Sequence, residues 1–137
     1  MNQYIKSCLN YVGRKHKLLP QILPLFPQNI DIFIDLFCGG TDVGINVKAN
    51  QIICNDILKP IIDFYMICQK HDSQELLHIL NKTIEDYELS KTNKDGYLKL
   101  RKDYNKNKKS WDIFYALICH SFSNQIRFNR KGEFNLP

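Results

Sequence analysis

IDIFIDLFCGGTD, residues 30–42, decides the fold of this 137-residue chain. Residues 30–37 alternate apolar and polar side chains and are rich in β-branched and aromatic types, which predicts a strand. A glycine turn follows at residues 38–42, and residues 43–47 are predicted to begin a short helix. Residues 51–55 predict a second short strand that ends at Asp56. A strand, turn, helix and strand within about thirty residues form a βαβ unit, so the sequence predicts an α/β fold.

The chain on either side of this unit has helical patterns. Residues 14–26 carry apolar positions at helical spacing, although Pro20 and Pro24 limit their regularity. From Leu58 onward the pattern remains helical, with Ser73 as a candidate N-cap. The predicted helices and the features between them are a helix from residue 58, helices at 74–87, 94–104 and 111–122, a basic loop at 105–109, and a turn or hairpin at 127–137. Only two strands are predicted, which is too few for a complete doubly wound sheet.

Charge is divided unevenly along the chain. The net charge is +5, but residues 1–30, 31–90 and 91–137 carry +4, −6 and +7. Basic ends suit a polyanion, whereas the acidic middle suits a metabolite-binding core. Solvated helix faces would give the same pattern, so charge alone leaves nucleic-acid binding open.

Composition argues against several classes of protein. No apolar run approaches the roughly 20 residues that span a bilayer, and residues 1–10 lack the apolar stretch of a secretory signal, so a cytoplasmic protein without membrane contact is expected. The five cysteines contain no Cys-x-x-Cys pair, which suits neither a zinc site nor a disulfide framework. We expect reduced, packed thiols and no metal.

The glycine turn is the candidate ligand site, because backbone approaches a ligand closely at a strand–turn–helix junction. Gly39 and Gly44 have the spacing of a phosphate-binding loop, but the Lys that must follow is absent. Thr41 occupies the position where a dinucleotide fingerprint needs glycine. S-adenosylmethionine has no phosphate and needs carboxylates for its ribose and ammonium groups, which Asp35 and Asp56 are placed to supply. The alternative is a plain turn flanked by two solvated aspartates.

Four segments together resemble the Dam-type (D12 class) adenine-N6 DNA methylases, which include phage and restriction–modification members. They are residues 11–15 (YVGRK), 35–40 (DLFCGG), 55–57 (NDI) and 127–137 (RFNRKGEFNLP). The first is similar to the family's aromatic-x-Gly-Gly-Lys opening, the second to its cofactor motif and the third to its ribose-binding motif. The fourth, which is the most specific, resembles the Arg-aromatic-Asn…Gly-Glu-Phe-Asn-x-Pro segment near the DNA-recognition hairpin.

The resemblance implies an architecture and a cofactor site. Residues 1–57 would form the N-terminal part of a partial Rossmann-like methyltransferase core that binds S-adenosylmethionine. Residues 58–137 would form a mostly helical target-recognition subdomain with a C-terminal hairpin. The resemblance assigns seven residues to the cofactor site: Tyr11, Lys15, Asp35, Phe37, Gly39, Gly40 and Asp56. Among them, Tyr11 and Lys15 would help to close the site, and Asp56 would hold the ribose.

The resemblance also implies contacts with double-stranded DNA. Asn124 and Arg127 would face the DNA, and arginine bound to guanine is the commonest specific base contact. Phosphate contacts are expected from three lysines of the basic loop, Lys106, Lys108 and Lys109. Phe122 and Phe128 are expected to pack in the core or the hairpin rather than stack on bases.

The family transfers its methyl group at an Asp-Pro-Pro-Tyr motif that follows the Gly-Glu-Phe-Asn segment, and residues 1–137 contain no such sequence. We therefore expect a site-specific DNA adenine-N6 methyltransferase truncated before its catalytic motif, without a catalytic residue of its own and inactive as a single polypeptide. Two alternatives stay open. One is a catalytically inactive DNA-binding remnant; the other is one chain of a split methylase whose complementary C-terminal chain supplies the motif.

Two parts of the chain depart from the family pattern. Arg14 replaces the second glycine of the opening motif, and Thr41-Asp42 stands where the family usually has Gly-Ser. A Cβ at position 41 is unfavourable if that residue needs a positive φ. A carboxylate at position 42 is expected to repel the carboxylate of the ligand's methionine end. We hypothesise that these changes reflect a relaxed constraint on the sequence of the cofactor loop in a truncated gene.

Overall fold

The computed structural model describes residues 4–137. The chain divides into an N-terminal unit, Met1–Ile62, and a C-terminal unit, Asp63–Pro137. Both strands lie in the N-terminal unit, and three of the five α-helices of the described residues lie wholly in the C-terminal unit. The α/β class predicted from the sequence is confirmed. No helix within residues 4–137 is long and apolar enough to span a membrane.

The N-terminal unit contains three short helices where the sequence has helical spacing with two prolines. A 3-10 helix at His16–Leu18 leads into α1, Leu19–Ile22, and a second 3-10 helix occupies Leu23–Leu25. Pro20 and Pro24 each lie in the first turn of their helix, where the missing N–H has no intrahelical partner to lose. The prolines therefore divide the pattern into short pieces rather than abolishing it.

The two predicted strands pair in parallel. Strand β1, Ile32–Asp35, lies beside β2, Gln51–Cys54, with Ile32 opposite Gln51 and Asp35 opposite Cys54. Both strands are shorter than the sequence pattern suggests. The predicted helix between them is reduced to a single helical turn, in which Val47 N–H donates to the carbonyl of Val43 at 3.0 Å. Two strands connected this way form the βαβ unit in abbreviated form.

Apolar side chains of this sheet remain exposed. Ile32, Ile34, Ile52 and Ile53 each retain between 40 and 57% of their accessible surface. Parallel sheets in α/β proteins are normally covered on both faces. The described residues therefore leave the sheet partly uncovered, as a two-stranded fragment of a larger sheet would be.

The C-terminal unit is helical. Helix α2, Lys59–Lys70, crosses the boundary between the units, and α3 (Ser73–Asp86), α4 (Lys94–Lys106) and α5 (Trp111–His120) follow. Helix α5 is the most apolar and packs against both α3 and α4. The predicted N-cap of α3 was one residue too late, because Asp72 rather than Ser73 accepts the N–H groups of Gln74 and Glu75.

The last eleven residues form a hairpin-like turn against α4 and α5. Phe128 and Phe134 make an isolated antiparallel bridge, and Gly132 has φ +73° in the turn between them. The two phenylalanine rings are 5.5 Å apart and join an aromatic cluster with Tyr104 and Phe114. This cluster anchors the segment that the sequence predicts to be a turn or hairpin.

Candidate functional site

The glycine turn after β1 is fastened to the end of β2. Cys38 N–H donates to the carbonyl of Asn55 at 2.9 Å, and Gly39 N–H donates to Oδ2 of Asp56 at 2.9 Å. The other carboxylate oxygen of Asp56 accepts the N–H of Leu58, also at 2.9 Å. Because the carboxyl ends of parallel strands meet at one edge of the sheet, Asp56 lies beside a turn 17 positions earlier in the chain.

The ring of Tyr11 lies directly over this turn. A β-carbon added at Gly39 would meet Tyr11 Cδ1 at 2.9 Å, and one at Gly40 would meet Tyr11 Cβ at 3.4 Å. Gly39 also has φ +47°, a conformation that L side chains rarely adopt. Position 39 therefore requires glycine for two separate reasons, its backbone conformation and the close approach of an aromatic ring.

A cleft of about 430 Å³ opens at the turn. Six of the seven residues predicted for the cofactor site line it: Tyr11, Lys15, Asp35, Phe37, Gly39 and Gly40. The seventh, Asp56, is not a lining residue and contacts the turn through Gly39. Phe37 is 84% exposed, so its ring is presented to solvent rather than packed. The cleft's volume is in the range of small-molecule sites.

Two other depressions in the N-terminal unit are larger, at about 510 and 600 Å³. Both include Ile30 and Lys48, which precede β1 and β2, so they lie near the amino ends of the strands. Ligands of open α/β sheets bind at the carboxyl ends. Position in the fold, rather than volume, therefore favours the cleft at the glycine turn.

Asp35 is a carboxyl group of the cleft whose surroundings disfavour a negative charge. Burial raises the pKa of its carboxyl group, the N–H of Gly44 donating to Oδ2 at 3.2 Å opposes the rise, and the charge of Asp56 adds to it. A carboxylate in this position is stabilised by any cation that enters the cleft. The arrangement thus favours a ligand with a positively charged group.

Two cysteines adjoin the same carboxylates. Burial, followed by the neighbouring Cys54, Asp35 and Asp56, raises the pKa of the Cys38 thiol to about 12. Burial also raises the pKa of Cys54. Thiols with raised pKa values stay protonated at neutral pH and are poor nucleophiles. The two side chains therefore act as small packed groups. Within residues 4–137, no group of three His, Cys, Asp or Glu side chains is arranged so that it could hold a metal ion.

Of the predicted DNA-contacting residues, Arg127 and Asn124 lie on the exposed side of the C-terminal segment. The guanidinium of Arg127 is held by Asn135, with Nε donating to Oδ1 at 3.0 Å and Nη2 to the carbonyl at 3.2 Å. Asn124 has φ +52° and an exposed side chain. Phe128 packs in the aromatic cluster as expected, but Phe122 is 71% exposed, so its predicted packing in the core or the hairpin was wrong.

The three predicted phosphate-contacting lysines differ in their surroundings. All three are exposed, and Lys106 is the last residue of α4. Lys108 Nζ lies 3.4 Å from Asp103 Oδ2 and 3.4 Å from the hydroxyl of Tyr87, so part of its charge is already compensated. Lys106 and Lys109 are the better placed of the three to contact a polyanion.

Helix α4 presents a basic stripe that the sequence analysis missed, defined here as Lys99, Lys102 and Lys106. These residues recur at spacings of three and four, so they share one face, and all are exposed. The opposite face carries the buried side chains Tyr97, Leu100 and Tyr104. The helical spacing of these lysines opposite an apolar face is the signal in the sequence that could have identified this stripe.

Comparison with known proteins gives matches that include residues of both the N-terminal and the C-terminal unit. A model of the D12 class N6 adenine-specific DNA methyltransferase family matches residues 11–137. The chain belongs to this family. It is 52% identical to the Type II methyltransferase M.FokI of Planomicrobium okeanokoites over 99% of this chain and 21% of that protein. It is 47% identical to the modification methylase StsI of Streptococcus sanguinis over 98% of this chain and 20% of that protein.

The Type II methyltransferase M.MjaIII of Methanocaldococcus jannaschii is less similar to this chain, but the chain covers a larger share of its length. Identity to it is 31%, over 97% of this chain and 52% of that protein. The chain thus spans about a fifth of the length of its M.FokI and StsI relatives. Resemblance to the D12 class, predicted from four motifs, is confirmed.

The two departures from the D12 pattern contact each other. Arg14 donates through Nε to Asp42 Oδ2 at 3.4 Å and through Nη2 to Oδ1 at 3.3 Å. The Asp42 carboxylate also accepts the N–H groups of Ser7, Lys15 and His16 at 3.1–3.2 Å. Burial alone would raise the pKa of Asp42, but these partners together lower it. The predicted repulsion of a ligand carboxylate is therefore largely offset by neighbouring positive and N–H groups.

Thr41 has the positive φ that the sequence analysis considered unfavourable for a residue with a Cβ. Its φ is +60°, it is buried, and its hydroxyl donates to the carbonyl of Gly40 at 2.8 Å. A non-glycine residue in this region costs on the order of 1 kcal/mol. A strained, buried residue that hydrogen-bonds its own turn is a feature typical of ligand loops.

Proposed function

We propose that the N-terminal unit binds S-adenosylmethionine and that the C-terminal unit contacts double-stranded DNA, as parts of a site-specific DNA adenine-N6 methyltransferase. The observation that carries the proposal is the glycine turn itself. Tyr11 covers Gly39, Asp56 accepts the N–H of Gly39, and the turn lies at the carboxyl ends of two parallel strands. A partial Rossmann-like core is the architecture that places a ligand at such an edge.

The residues at the cleft suit the chemical groups of this cofactor. S-adenosylmethionine, when bound, supplies a methyl group on a positively charged sulfonium. Asp35, whose charge is poorly compensated, would favour the ligand's cationic groups. Asp56 would accept ribose hydroxyls with the lone pairs that its two backbone bonds leave available. Tyr11, Phe37 and Lys15 would close the cleft over the ligand.

The C-terminal unit would position duplex DNA. Enzymes that modify a base must first extrude it from the stack, so contacts to the backbone and to neighbouring bases hold the duplex during that step. Arg127, with its guanidinium pre-oriented by Asn135, would read a base edge, and Asn124 would lie beside it. Lys106, Lys108 and Lys109, extended by the basic stripe of α4, would contact phosphates.

Methyl transfer would need groups that residues 1–137 do not supply. The sequence has no Asp-Pro-Pro-Tyr motif, and no residue of the cleft is proposed to act on the adenine amine. We propose that complementary methylase sequence, in the same polypeptide or a second chain, completes the site. The exposed isoleucines of the sheet favour this, because further strands or helices would cover them. A DNA-binding module without activity is the second candidate, favoured by the basic stripe.

Two measurements on the 137-residue chain test the proposal. Calorimetric titration with S-adenosylmethionine should give saturable binding at one site per chain. Incubation of duplex DNA with labelled cofactor should give incorporation only when a D12-class methylase polypeptide that contains an Asp-Pro-Pro-Tyr motif is added. DNA binding with no cofactor binding at millimolar concentration would favour the module instead.

A further inference from the structure

We propose that Asp42 is a positioning residue, which holds the segment of residues 5–16 over the glycine turn and so fixes the ring of Tyr11 above Gly39. This inference rests on the proposed cofactor function, and it concerns how the cleft is formed rather than which ligand enters it. It is based on the contacts of the buried Asp42 carboxylate. The glycine turn does not need these contacts for its own geometry.

Hydrogen-bond donors from both sides of Tyr11 in the chain converge on Asp42. This side chain is 3% exposed, and its two oxygens accept from the backbone N–H groups of Ser7, Lys15 and His16 and from the Arg14 guanidinium. Ser7 lies before Tyr11 in the chain, and the other three donors lie after it. The carboxylate therefore gathers both ends of the loop that carries the Tyr11 ring.

Asn46, one helical turn after Asp42, makes a second attachment to the same N-terminal segment. Asn46 Oδ1 accepts the N–H of Ile5 at 2.8 Å, and Asn46 Nδ2 donates to the carbonyl of Ile5 at 2.8 Å. The same Nδ2 donates to the carbonyl of Asp42 at 2.8 Å. Asn46 thus pairs with the backbone of the incoming segment while tied to Asp42, so the attachment is a connected network rather than one contact.

The network holds the ring of Tyr11 in place. Tyr11 approaches Gly39 so closely that no β-carbon fits between them, and it forms one wall of the cleft. A loop of roughly ten residues with free ends would hold a side chain in one place only at a large entropic cost. Hydrogen bonds from a charged acceptor on either side of the ring remove much of that freedom before any ligand binds.

Proton NMR of a chain labelled with ¹⁵N-glycine tests the inference directly. The chain has six glycines, and the amide resonances of Gly39 and Gly40 should carry ring-current shifts from Tyr11. A Tyr11→Leu variant defines the shifts without the ring. Asp42→Asn, which keeps the size of the side chain but loses its charge, should move both resonances toward those of Tyr11→Leu. Gly96 and Gly132 of the C-terminal unit should stay unchanged.

Rescue and a matched control separate positioning from general damage. Arg14→Lys keeps a cation beside Asp42 and should retain the parental shifts. Asp31→Asn makes the same change of charge at an exposed aspartate before β1, whose carboxylate pairs with Asn50, and should leave Gly39 and Gly40 unchanged. Asp42→Asn should also weaken S-adenosylmethionine binding roughly tenfold, the equivalent of one charge-assisted hydrogen bond.

Each result decides a different claim. Parental glycine shifts and parental affinity in Asp42→Asn would overturn the positioning role. If Asp42→Asn moves the Gly39 and Gly40 resonances but the parent chain binds no S-adenosylmethionine, the positioning role is supported and the proposed function is contradicted. If Asp42→Asn fails to fold, Arg14→Ala, which leaves three backbone donors on the carboxylate, should show the same shifts to a smaller extent.

Discussion

Gly39 N–H donates to Asp56 Oδ2 at 2.9 Å, so the turn after the first strand and the residue after the second strand form one unit. The bond orients the turn, because a carboxylate that accepts both Gly39 and Leu58 fixes the direction in which each N–H points. It also explains why Asp56 can influence the cleft without lining it.

Replacement of Gly39 by alanine should weaken S-adenosylmethionine binding by roughly a factor of ten or more. The alanine would be strained at φ +47°, at a cost of about 1–3 kcal/mol, and its Cβ would displace the Tyr11 ring. Gly132→Ala is the matched control, since Gly132 has φ +73° with no heavy atom within 4 Å of the added carbon. Calorimetry should show parental affinity in the control, and equal affinity in both variants would contradict the assigned role of Tyr11.

Asp35→Asn should stabilise the N-terminal unit at pH 7 while weakening cofactor binding. Burial raises the pKa of Asp35 in the folded chain, so its ionised form is disfavoured by folding. The neutral carboxyl group of Asp35 therefore contributes to the stability of the folded state. This contribution is fully present below the unfolded-state pKa of about 3.9 and is lost as the pH rises through the folded-state pKa. The parent should therefore approach the stability of Asp35→Asn as pH falls toward 4.

Urea unfolding followed by the amide resonances of Gly13, Gly39, Gly40 and Gly44 measures this difference within the N-terminal unit. Asp31→Asn removes an exposed carboxylate at the other end of the same strand and should show little change in urea midpoint at either pH. A parent that is more stable than Asp35→Asn at pH 7 would contradict the sign. Gain of stability with loss of binding is the pattern expected of a residue kept for its ligand.

The parts of the site that sequence could predict are those fixed by strand ends. Asp56 was placed beside the glycine turn because two strands of a βαβ unit end at the same edge, and that placement needs no knowledge of side-chain packing. Tyr11 and Lys15 came from resemblance alone, and the structure brings both to the cleft. The first residue of α3 could not be predicted from sequence, because Asp72 and Ser73 are both good N-cap residues and only the geometry selects between them.

The pairings that sequence could not predict join residues far apart in the chain. Arg14 and Asp42 are 28 positions apart, and Asn105 and Phe134 are 29 apart. Each partner alone has a plausible exposed position, so composition and periodicity give no reason to join them. The helix predicted to begin at residues 43–47 was overestimated for a related reason, since Asp42 and Asn46 hydrogen-bond the N-terminal segment and the loop does not depend on helical propensity alone.

Asn105→Ala should destabilise the C-terminal unit by about 2 kcal/mol or more. Asn105 Oδ1 accepts the N–H of Phe134 at 2.8 Å, and its Nδ2 donates to the carbonyl of the same residue at 3.0 Å. Phe134 is 1% exposed, so truncation would leave backbone groups without their partner, at about 1–3 kcal/mol for each. Denaturant unfolding followed by the fluorescence of Trp111, the one tryptophan of the chain, reports on this unit.

Asn107→Ala is the control for that measurement. Asn107 is exposed just beyond the end of α4, and a surface substitution of this kind changes stability by less than about 0.5 kcal/mol. Equal transition midpoints for Asn105→Ala and Asn107→Ala would show that the hydrogen bonds between Asn105 and Phe134 contribute little to the stability of this unit. A lowered midpoint with an unchanged denaturant slope would confirm a loss of stability.

Replacement of the basic stripe, Lys99, Lys102 and Lys106, by alanine should weaken binding to duplex DNA of any sequence. If each lysine neutralises one phosphate, the slope of log affinity against log salt concentration should fall by about 2.7, since each phosphate contributes about 0.9. Fluorescence anisotropy with a labelled duplex at several salt concentrations measures the slope. The triple variant Lys70, Lys82 and Lys91 to alanine loses the same charge from elsewhere on the chain and should keep the parental slope within about 0.5. Equal slopes in the two triple variants would mean that net charge, rather than the face of α4 opposite Tyr97 and Leu100, determines DNA binding.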